Sequence, residues 1–183
     1  VGLWLGLVVA PTDAQQGEVY RLIYIHVPSA WMAMFIYLVM AMYAVLTLVL
    51  RARLSAMMMR ALAPTGMVMA AIALATGAIW GKPTWGTYWA WDARMTSTLI
   101  LLFLYLGFMA LVAAIEDPTR GDRAGAVLVL AGVINIPIIY FSVRWWNSLH
   151  QGASITPAGS SIDPSMLRAL LMMTLAAWAY ALA

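Results

Sequence analysis

The segment that decides the fold class is VPSAWMAMFIYLVMAMYAVLTLVL, Val27–Leu50, which contains no charged residue. About 20 predominantly apolar residues are enough for a helix to cross the hydrocarbon core of a bilayer. Three more uncharged intervals of this kind follow, at Ala61–Gly81, Met95–Ile115 and Ala124–Val143. The sequence therefore predicts four complete membrane-spanning helices.

Two shorter apolar stretches lie at the ends of the sequence. Val1–Thr12 stops at Asp13, and Ala169–Ala183 runs to the last residue. Because the sequence begins inside an apolar run, we expect the first stretch to be the outer part of a helix that starts before Val1. A cleaved signal peptide fits less well, since no basic region or small-residue cleavage site is visible. The predicted fold class is an all-α integral membrane protein, a bundle of six transmembrane helices in a single domain, 1–183.

The composition agrees with this class. Of the 183 residues 64% are hydrophobic and only 9% are charged, against about 25% charged in soluble domains. This balance excludes a soluble enzyme, a disordered tail and a nucleic-acid binder. The net charge of +3 comes from too few charges to form a phosphate-binding patch. The absence of cysteine from the sequence excludes disulfides and thiolate metal sites.

Prolines and aspartates mark the expected helix boundaries. Pro28 is expected to open the second helix, and Asp163 followed by Pro164 the sixth. Asp122 is a candidate N-cap of the fifth helix. Pro137, inside that helix, is expected to kink it.

Six spans place the connecting segments alternately at two faces of the membrane. One face carries Arg51–Arg60 and Glu116–Arg123. The other, called the histidine face below, carries the segments around His26, Lys82–Arg94 and His150. Each face has five basic residues, so the positive-inside rule does not decide the orientation. The basic residues are clustered at the first face, which favours a cytoplasmic location for it.

Seven of the nine tryptophans lie at the histidine face. They are Trp31, Trp80, Trp85, Trp89, Trp91, Trp145 and Trp146. An aromatic belt at headgroup depth is one interpretation, but a belt decorates both interfaces. The one-sided distribution favours a platform of flat rings for a flat, hydrophobic ligand.

The only two histidines, His26 and His150, fall at the same face. Neutral imidazole suits iron, copper or zinc. A closed tetrahedral zinc site is disfavoured, because there is no cysteine and few carboxylates lie nearby. Two axial imidazoles on a haem iron fit this inventory, with the tryptophans against the macrocycle.

Few charged residues accompany the histidines. Arg94, Arg144 and Arg21 are candidate partners of the two haem propionates, because guanidinium pairs with carboxylates in a fork geometry. Contact with phospholipid headgroups is the alternative for each. Asp92 lies among four tryptophans and needs a partner. We expect it to order the backbone of this segment or to accept an indole N–H.

Three segments carry a resemblance to a known family. They are WGTYWAWDARMT (Trp85–Thr96), YIHVPSAW (Tyr24–Trp31) and VRWWNSLHQG (Val143–Gly152). The first resembles the tryptophan-rich WWD signature of haem-handling membrane proteins, with Tyr88 where tryptophan is common and Met95 where leucine is common. Together the three segments resemble the haem exporter protein C family of the cytochrome c maturation (Ccm) system.

The resemblance implies a haem carrier, not an enzyme. Such a protein would hold haem b at the periplasmic face of the bacterial inner membrane and deliver it to a periplasmic haem chaperone. The WWD segment, residues 80–96, would hold the haem, with His26 and His150 as axial iron ligands. The implied partners are the chaperone, a small single-helix subunit and an ABC transporter pair of ATPase and permease.

The resemblance and the residue inventory together give a set of candidate haem-binding residues. The set is His26, His150, Trp85, Tyr88, Trp89, Trp91, Asp92, Arg94, Trp145, Trp146, Arg144 and Arg21.

Two other function classes stay open. A bis-histidine electron-transfer cytochrome would carry its ligands inside the spans, nearer the bilayer middle. A permease-type haem transporter subunit would need polar or ionisable residues along the spans. The predicted spans offer only mild groups such as Asn135, Thr76 and Thr47. Haem handling at one face is therefore the favoured hypothesis.

Overall fold

The computed structural model describes residues 1–152, 154–156 and 159–182. Helix α1, Gly2–Trp4, continues as a π-helical turn, Leu5–Val9, and a 3₁₀ turn, Glu18–Leu22, leads into the second helix. The longer helices are α2 (Ile23–Leu50), α3 (Arg53–Trp85), α4 (Ala93–Ala114), α5 (Pro118–Gly132), α6 (Asn135–Trp145) and α7 (Pro164–Leu182). Two short strands, β1 (Ile155–Thr156) and β2 (Gly159–Ser160), pair antiparallel with Ile155 opposite Ser160.

Among the described residues, five helical segments are long and apolar enough to cross a membrane. They are Glu18–Leu50, Arg53–Trp85, Ala93–Ala114, Pro118–Trp145 and Pro164–Leu182. The predicted all-α, multi-pass class is thereby confirmed. The helical part of the first stretch, residues 2–9, is too short to span a bilayer by itself, so the sixth span stays a prediction.

Helix α2 lies at the centre of the bundle. It packs most extensively on α3 and also on α5 and α7, while α4 packs on α3, α5 and α6. Small residues let these helices approach closely. A Cβ at Gly66 of α3 would overlap the ring of Tyr105. The Tyr105 hydroxyl donates to the Ala33 carbonyl at 2.7 Å, which ties α4 to α2 in the core.

The structure changes two of the predicted helix starts. Helix α2 begins at Ile23, because the preceding 3₁₀ turn already directs the chain into it, so Pro28 lies inside the helix. Asp117, not Asp122, caps α5 by accepting a hydrogen bond from Thr119 N at 2.9 Å. Asp122 instead accepts from Arg60 Nη2 at 2.6 Å.

Two other boundary predictions are confirmed. Asp163 accepts from Ser165 N at 2.8 Å, directly before Pro164 opens α7. The kink expected at Pro137 is a break between Gly132 and Asn135, which divides one span into α5 and α6. The proline ring excludes the carbonyl four residues earlier from a helical hydrogen bond. At the break, the Asn135 side-chain amide donates to the Ser97 carbonyl at 2.8 Å.

Both predicted connections beside α3 are shorter than expected. The Arg51–Arg60 loop is only a turn, with Arg51 in the left-handed conformation at φ 52°, because α3 already starts at Arg53. At its other end α3 continues beyond Gly81, where the predicted span ended, to Trp85. Gly86, at φ 81°, ends the helix and donates its N–H to the Lys82 carbonyl, a common glycine C-terminal arrangement. The connection to α4 is therefore residues 86–92.

Candidate binding site at the histidine face

A cavity of about 440 Å³ lies at the histidine face, within the usual range for ligand pockets. Helices α2, α3, α4 and α6 supply most of its wall, and the segment after α6 closes one side. Five of the predicted binding residues line it: His26, His150, Trp85, Arg94 and Arg144. The fold thus brings together two histidines that lie far apart in the sequence.

His26 is held by the backbone of α3. Its Nδ1 lies 2.9 Å from the carbonyl oxygen of Ala73 and 3.1 Å from Thr76 Oγ1. A carbonyl only accepts hydrogen bonds, so the ring carries its proton on Nδ1 and donates it there. This tautomer leaves a free lone pair on Nε2. The ring of Trp80 packs edge-on against the imidazole, with centroids 5.8 Å apart.

His150 follows α6 and is held by a carboxylate. Its Nδ1 lies 2.9 Å from Asp92 Oδ2, which also accepts from Ser148 Oγ at 2.7 Å. Among the described residues, Nε2 of His150 has no hydrogen-bond partner. Carboxylate-backed imidazoles of this kind are typical of metal-ligating histidines, because the second hydrogen bond fixes the ring orientation. The indole of Trp85 packs against the imidazole with centroids 4.7 Å apart.

Asp92 connects the start of α4 to His150. Its Oδ1 accepts from Met95 N at 2.8 Å and caps the helix, as expected of a residue that orders the local backbone. Its further partners are His150 and Ser148, not an indole N–H.

The ionisation of this pair suits metal ligation. Burial acts to raise the pKa of Asp92, but hydrogen bonds from Met95 N, Ser148 and His150 hold that pKa below its ordinary value. Burial lowers the pKa of His150, and the hydrogen bond and charge of Asp92 offset this only partly. The carboxylate is therefore ionised and the imidazole neutral near pH 7, which is the imidazole form that binds metals.

Two of the three predicted arginines reach the cavity. Arg94 donates from Nε to Ser142 Oγ at 3.2 Å and from Nη2 to the Tyr140 carbonyl at 3.3 Å. Arg144 is exposed at the cavity edge.

Arg21 lies outside the cavity lining. It donates to the carbonyls of Gly6 and Ala10, both at 2.9 Å, and pairs with Glu18. These bonds hold the N-terminal segment against the 3₁₀ turn. The acceptors are backbone carbonyls, which every residue has, so the sequence alone does not predict these hydrogen bonds.

The other predicted aromatic residues lie at the same face but outside the lining. This group is Tyr88, Trp89, Trp91, Trp145 and Trp146. Trp91 is 77% exposed and packs edge-on against Trp89, and Trp145 stacks on Phe141 with centroids 5.2 Å apart. The Trp89 Nε1 atom is buried without a hydrogen-bond partner among the described residues.

The set of candidate binding residues did not include the lining residues Trp80, Trp31 and Tyr140. The two tryptophans had been placed only in the general aromatic platform, and Tyr140 had not been considered. Trp80 is fixed by a 2.6 Å hydrogen bond from its Nε1 to Gln16 Oε1. Ala73, Gly77, Trp80 and Thr84 all line the cavity, at the three- and four-residue spacing of one helix face. This pattern was the available signal, and it was missed because residues 82–85 were assigned to the connection between two spans.

The fold and the site define a multi-pass helical membrane protein with two imidazoles in one aromatic cavity, each held by an acceptor at Nδ1. The family described as Heme exporter protein C matches residues 1–183, and the chain belongs to this family.

Individual relatives cover most of the chain. It is 53% identical over 169 residues to Heme exporter protein C of Bradyrhizobium diazoefficiens, covering 92% of this chain and 64% of that protein. It is 52% identical over 166 residues to the protein of the same name in Escherichia coli K12, covering 91% and 67%. A ccmC-like mitochondrial protein of Marchantia polymorpha, named for cytochrome c biosynthesis, is 47% identical over 167 residues, covering 91% and 71%. The chain therefore spans just under two thirds of the Bradyrhizobium relative.

Proposed function

We propose that the chain binds one haem b at the histidine face and delivers it to a periplasmic haem chaperone during cytochrome c maturation. One observation carries the proposal. His26 and His150 line the same cavity, and each has its Nδ1 engaged by an acceptor, so that each offers Nε2 to a metal. Two axial imidazoles are the ligand set of a six-coordinate haem iron.

The donor set fits haem better than a bare metal ion. Among the described residues no group of three His, Asp or Glu side chains could hold a metal. Two imidazoles alone leave a metal ion short of ligands, whereas a tetrapyrrole supplies the remaining four. Trp80 and Trp85, each packed on one of the histidines, would contact the macrocycle. Arg94 and Arg144 would pair with the propionates.

The two ligands differ in how easily they can be displaced. His26 is part of α2, whereas His150 lies in the non-helical segment between α6 and α7. A carrier has to release its cargo, and withdrawal of His150 requires no transmembrane helix to move. We therefore assign to His150 the ligand position that is exchanged when the chaperone takes the haem.

The exposed aromatic residues of the WWD segment, 80–96, and of the α6 end have a role in this transfer. Four of these residues are each at least half exposed at the histidine face: Tyr88, Trp91, Trp145 and Trp146. We assign to them, together with Trp89, contact with the haem edge and with the chaperone as the ring leaves the cavity. Exposed aromatic groups are well suited to both contacts.

The proposal places the histidine face in the periplasm and the chain in the bacterial inner membrane. It treats residues 1–183 as one haem-handling domain that carries haem and is not an enzyme. A single-helix subunit and an ABC transporter pair would be its neighbours, and ATP hydrolysis would belong to that pair. The names of the relatives, which refer to heme export and cytochrome c biosynthesis, support this setting.

Co-expression with the chaperone tests the proposal. Covalent haem on the chaperone is measured by haem staining, and the abundance of the membrane protein by an affinity tag. We expect His26→Ala and His150→Ala each to abolish chaperone loading at unchanged abundance. Asn147→Ala, at an exposed neighbour of the same segment, is the matched control and should load normally. Normal loading by the double histidine variant would contradict the proposal.

A further inference from the structure

A second, apolar groove of about 370 Å³ lies between α2 and α6, on the lateral surface of the bundle. We call it the α2–α6 seam. One wall is formed by α2 and the other by the first two turns of α6. The walls include Trp31, Phe35 and Leu38 on α2 and Pro137, Tyr140 and Phe141 on α6.

The seam adjoins the histidine cavity. Trp31, Met34 and Tyr140 line both spaces. Trp31 is 37% exposed and Tyr140 58% exposed, so neither side chain is enclosed by the bundle. The cavity and the seam therefore share a partition that includes these three residues.

Helix packing explains why the seam is open. Helix α2 packs on α3, α5 and α7, whereas α6 packs on α4. The break before Pro137 makes α6 a separate short helix, so it does not have to follow the line of α5 along α2. Both walls lie within membrane-spanning segments, so the open side of the seam faces the acyl chains of a bilayer.

Positively charged side chains lie at only one end of the seam. Arg144 lies four residues after Tyr140, on the same side of α6 and towards the membrane surface. Arg94 donates to the Tyr140 carbonyl from the neighbouring helix. An apolar slot with two cations at its interfacial end is complementary to a flat amphiphile whose anionic groups are at one edge.

We infer that the α2–α6 seam is a lateral opening through which haem enters the cavity from the acyl-chain region of the bilayer, edge first, with its carboxylates held at Arg94 and Arg144. The inference rests on the proposed function, because it assumes that haem is the cargo. Trp31, Met34 and Tyr140 are the side chains that move aside. The aqueous mouth beside His150 is then the exit towards the chaperone.

The inference is tested by closing the seam with a chemical bridge between two introduced cysteines. Because the sequence contains no cysteine, a thiol reagent reacts only at the introduced positions. Phe35→Cys and Phe141→Cys place one thiol on each wall of the seam, and neither residue lines the cavity. Bismaleimides of graded length, and a bridge that reductant can cleave, join the two thiols in protein reconstituted into vesicles. The readout is the rate at which the low-spin haem absorption appears. Haem is supplied either dissolved in the vesicle bilayer or carried by albumin in the water phase.

A matched pair controls for bridging itself. Gly107→Cys and Leu128→Cys join α4 to α5, since a Cβ at Gly107 would lie 3.7 Å from the Leu128 side chain. We expect the seam bridge to abolish uptake of bilayer-dissolved haem, cleavage of the bridge to restore it, and the control bridge to leave it unchanged. A seam-bridged protein that takes haem from the bilayer at the unbridged rate overturns the inference.

Two further outcomes distinguish a lipid-binding role of the seam from a failure of the proposed function. A phospholipid retained by the unbridged protein in native mass spectrometry and lost on bridging, with haem uptake unchanged, assigns the seam to lipid and overturns the inference. A wild-type protein that takes up no haem from either source contradicts the proposed function itself.

Discussion

Asp92 and His150 are joined by a 2.9 Å hydrogen bond between Oδ2 and Nδ1 although 58 positions separate them in the sequence. The same carboxylate caps α4 through the Met95 N–H. The start of α4, which ends the WWD segment, therefore fixes the orientation of the histidine that follows α6. Two sequence motifs form one structural unit.

We predict that removing this carboxylate weakens haem binding. Asp92→Ala leaves the Nδ1 proton of His150 without its acceptor, and loss of such an outer hydrogen bond typically costs about 10–100-fold in metal affinity. We expect a loss of this size in haem titrations of the purified protein. The reduction potential of the bound haem should rise, because a less basic imidazole stabilises ferric iron less.

Asp117→Ala is the control for the helix cap that Asp92→Ala also removes. Asp117 caps α5 through Thr119 N and does not line the cavity. Each variant should lose about 1 kcal/mol of stability from its cap, but only Asp92→Ala should change haem affinity and potential. Equal haem affinity in both variants would show that Asp92 acts only as a cap.

Gly77 provides the space that His26 occupies. A Cβ at Gly77 would lie 3.0 Å from Cε1 of the imidazole, so Gly77→Ala should tilt the ring and displace Nε2. We expect roughly tenfold weaker haem binding, equivalent to about 1.4 kcal/mol, measured by titration. The variant should not be less stable to heat, because alanine is favoured over glycine in helices by up to about 1 kcal/mol. Gly107→Ala, where the nearest neighbour is 3.7 Å away, should bind haem normally.

Arg144 should recognise the propionates and not the macrocycle. Because the guanidinium is exposed, its ion pair is worth only about 0.2–1 kcal/mol, so Arg144→Gln should weaken haem binding a few-fold. Haem dimethyl ester, which has no free carboxylates, should bind wild type and variant equally. Arg168→Gln, an exposed arginine at the same face that does not line the cavity, should affect neither ligand. An equal loss for haem and its ester would assign Arg144 to another role.

Trp85 and Trp91 belong to the same motif but should have separable roles. Trp85 lines the cavity and packs on His150, so Trp85→Ala should lower haem affinity by about tenfold, close to the upper range of one aromatic contact. Trp91 is 77% exposed and outside the lining, so Trp91→Ala should bind haem normally and load the chaperone poorly. Titration and chaperone loading, measured on the same two variants, distinguish the roles. Equal effects of both variants on haem affinity would contradict this division.

Much of this arrangement could be predicted from the sequence. Charge-free intervals identify spans because a bilayer excludes unpaired charges, and alternation of the spans places His26 and His150 at one face. The prediction of haem as the ligand rests on the residue types at that face and on a family resemblance.

Other features depend on contacts that a sequence does not display. The extension of α3 to Trp85 depends on the left-handed Gly86, and Arg21 is held by the carbonyls of Gly6 and Ala10. The pairing of Asp92 with His150 requires the positions of two helices and a loop. The aromatic residues were consequently treated as one platform, although the fold divides them into a cavity lining and an exposed group.

The central claim is that one haem iron is held between His26 and His150. Optical titration of the purified wild type and of the His26→Ala, His150→Ala and double variants with hemin, oxidised and reduced, tests it most directly. We predict a low-spin, six-coordinate spectrum saturating at one haem per wild-type chain, a high-spin spectrum in each single variant, and no ligated haem in the double variant. A double variant that retains the low-spin spectrum of the wild type would contradict the account.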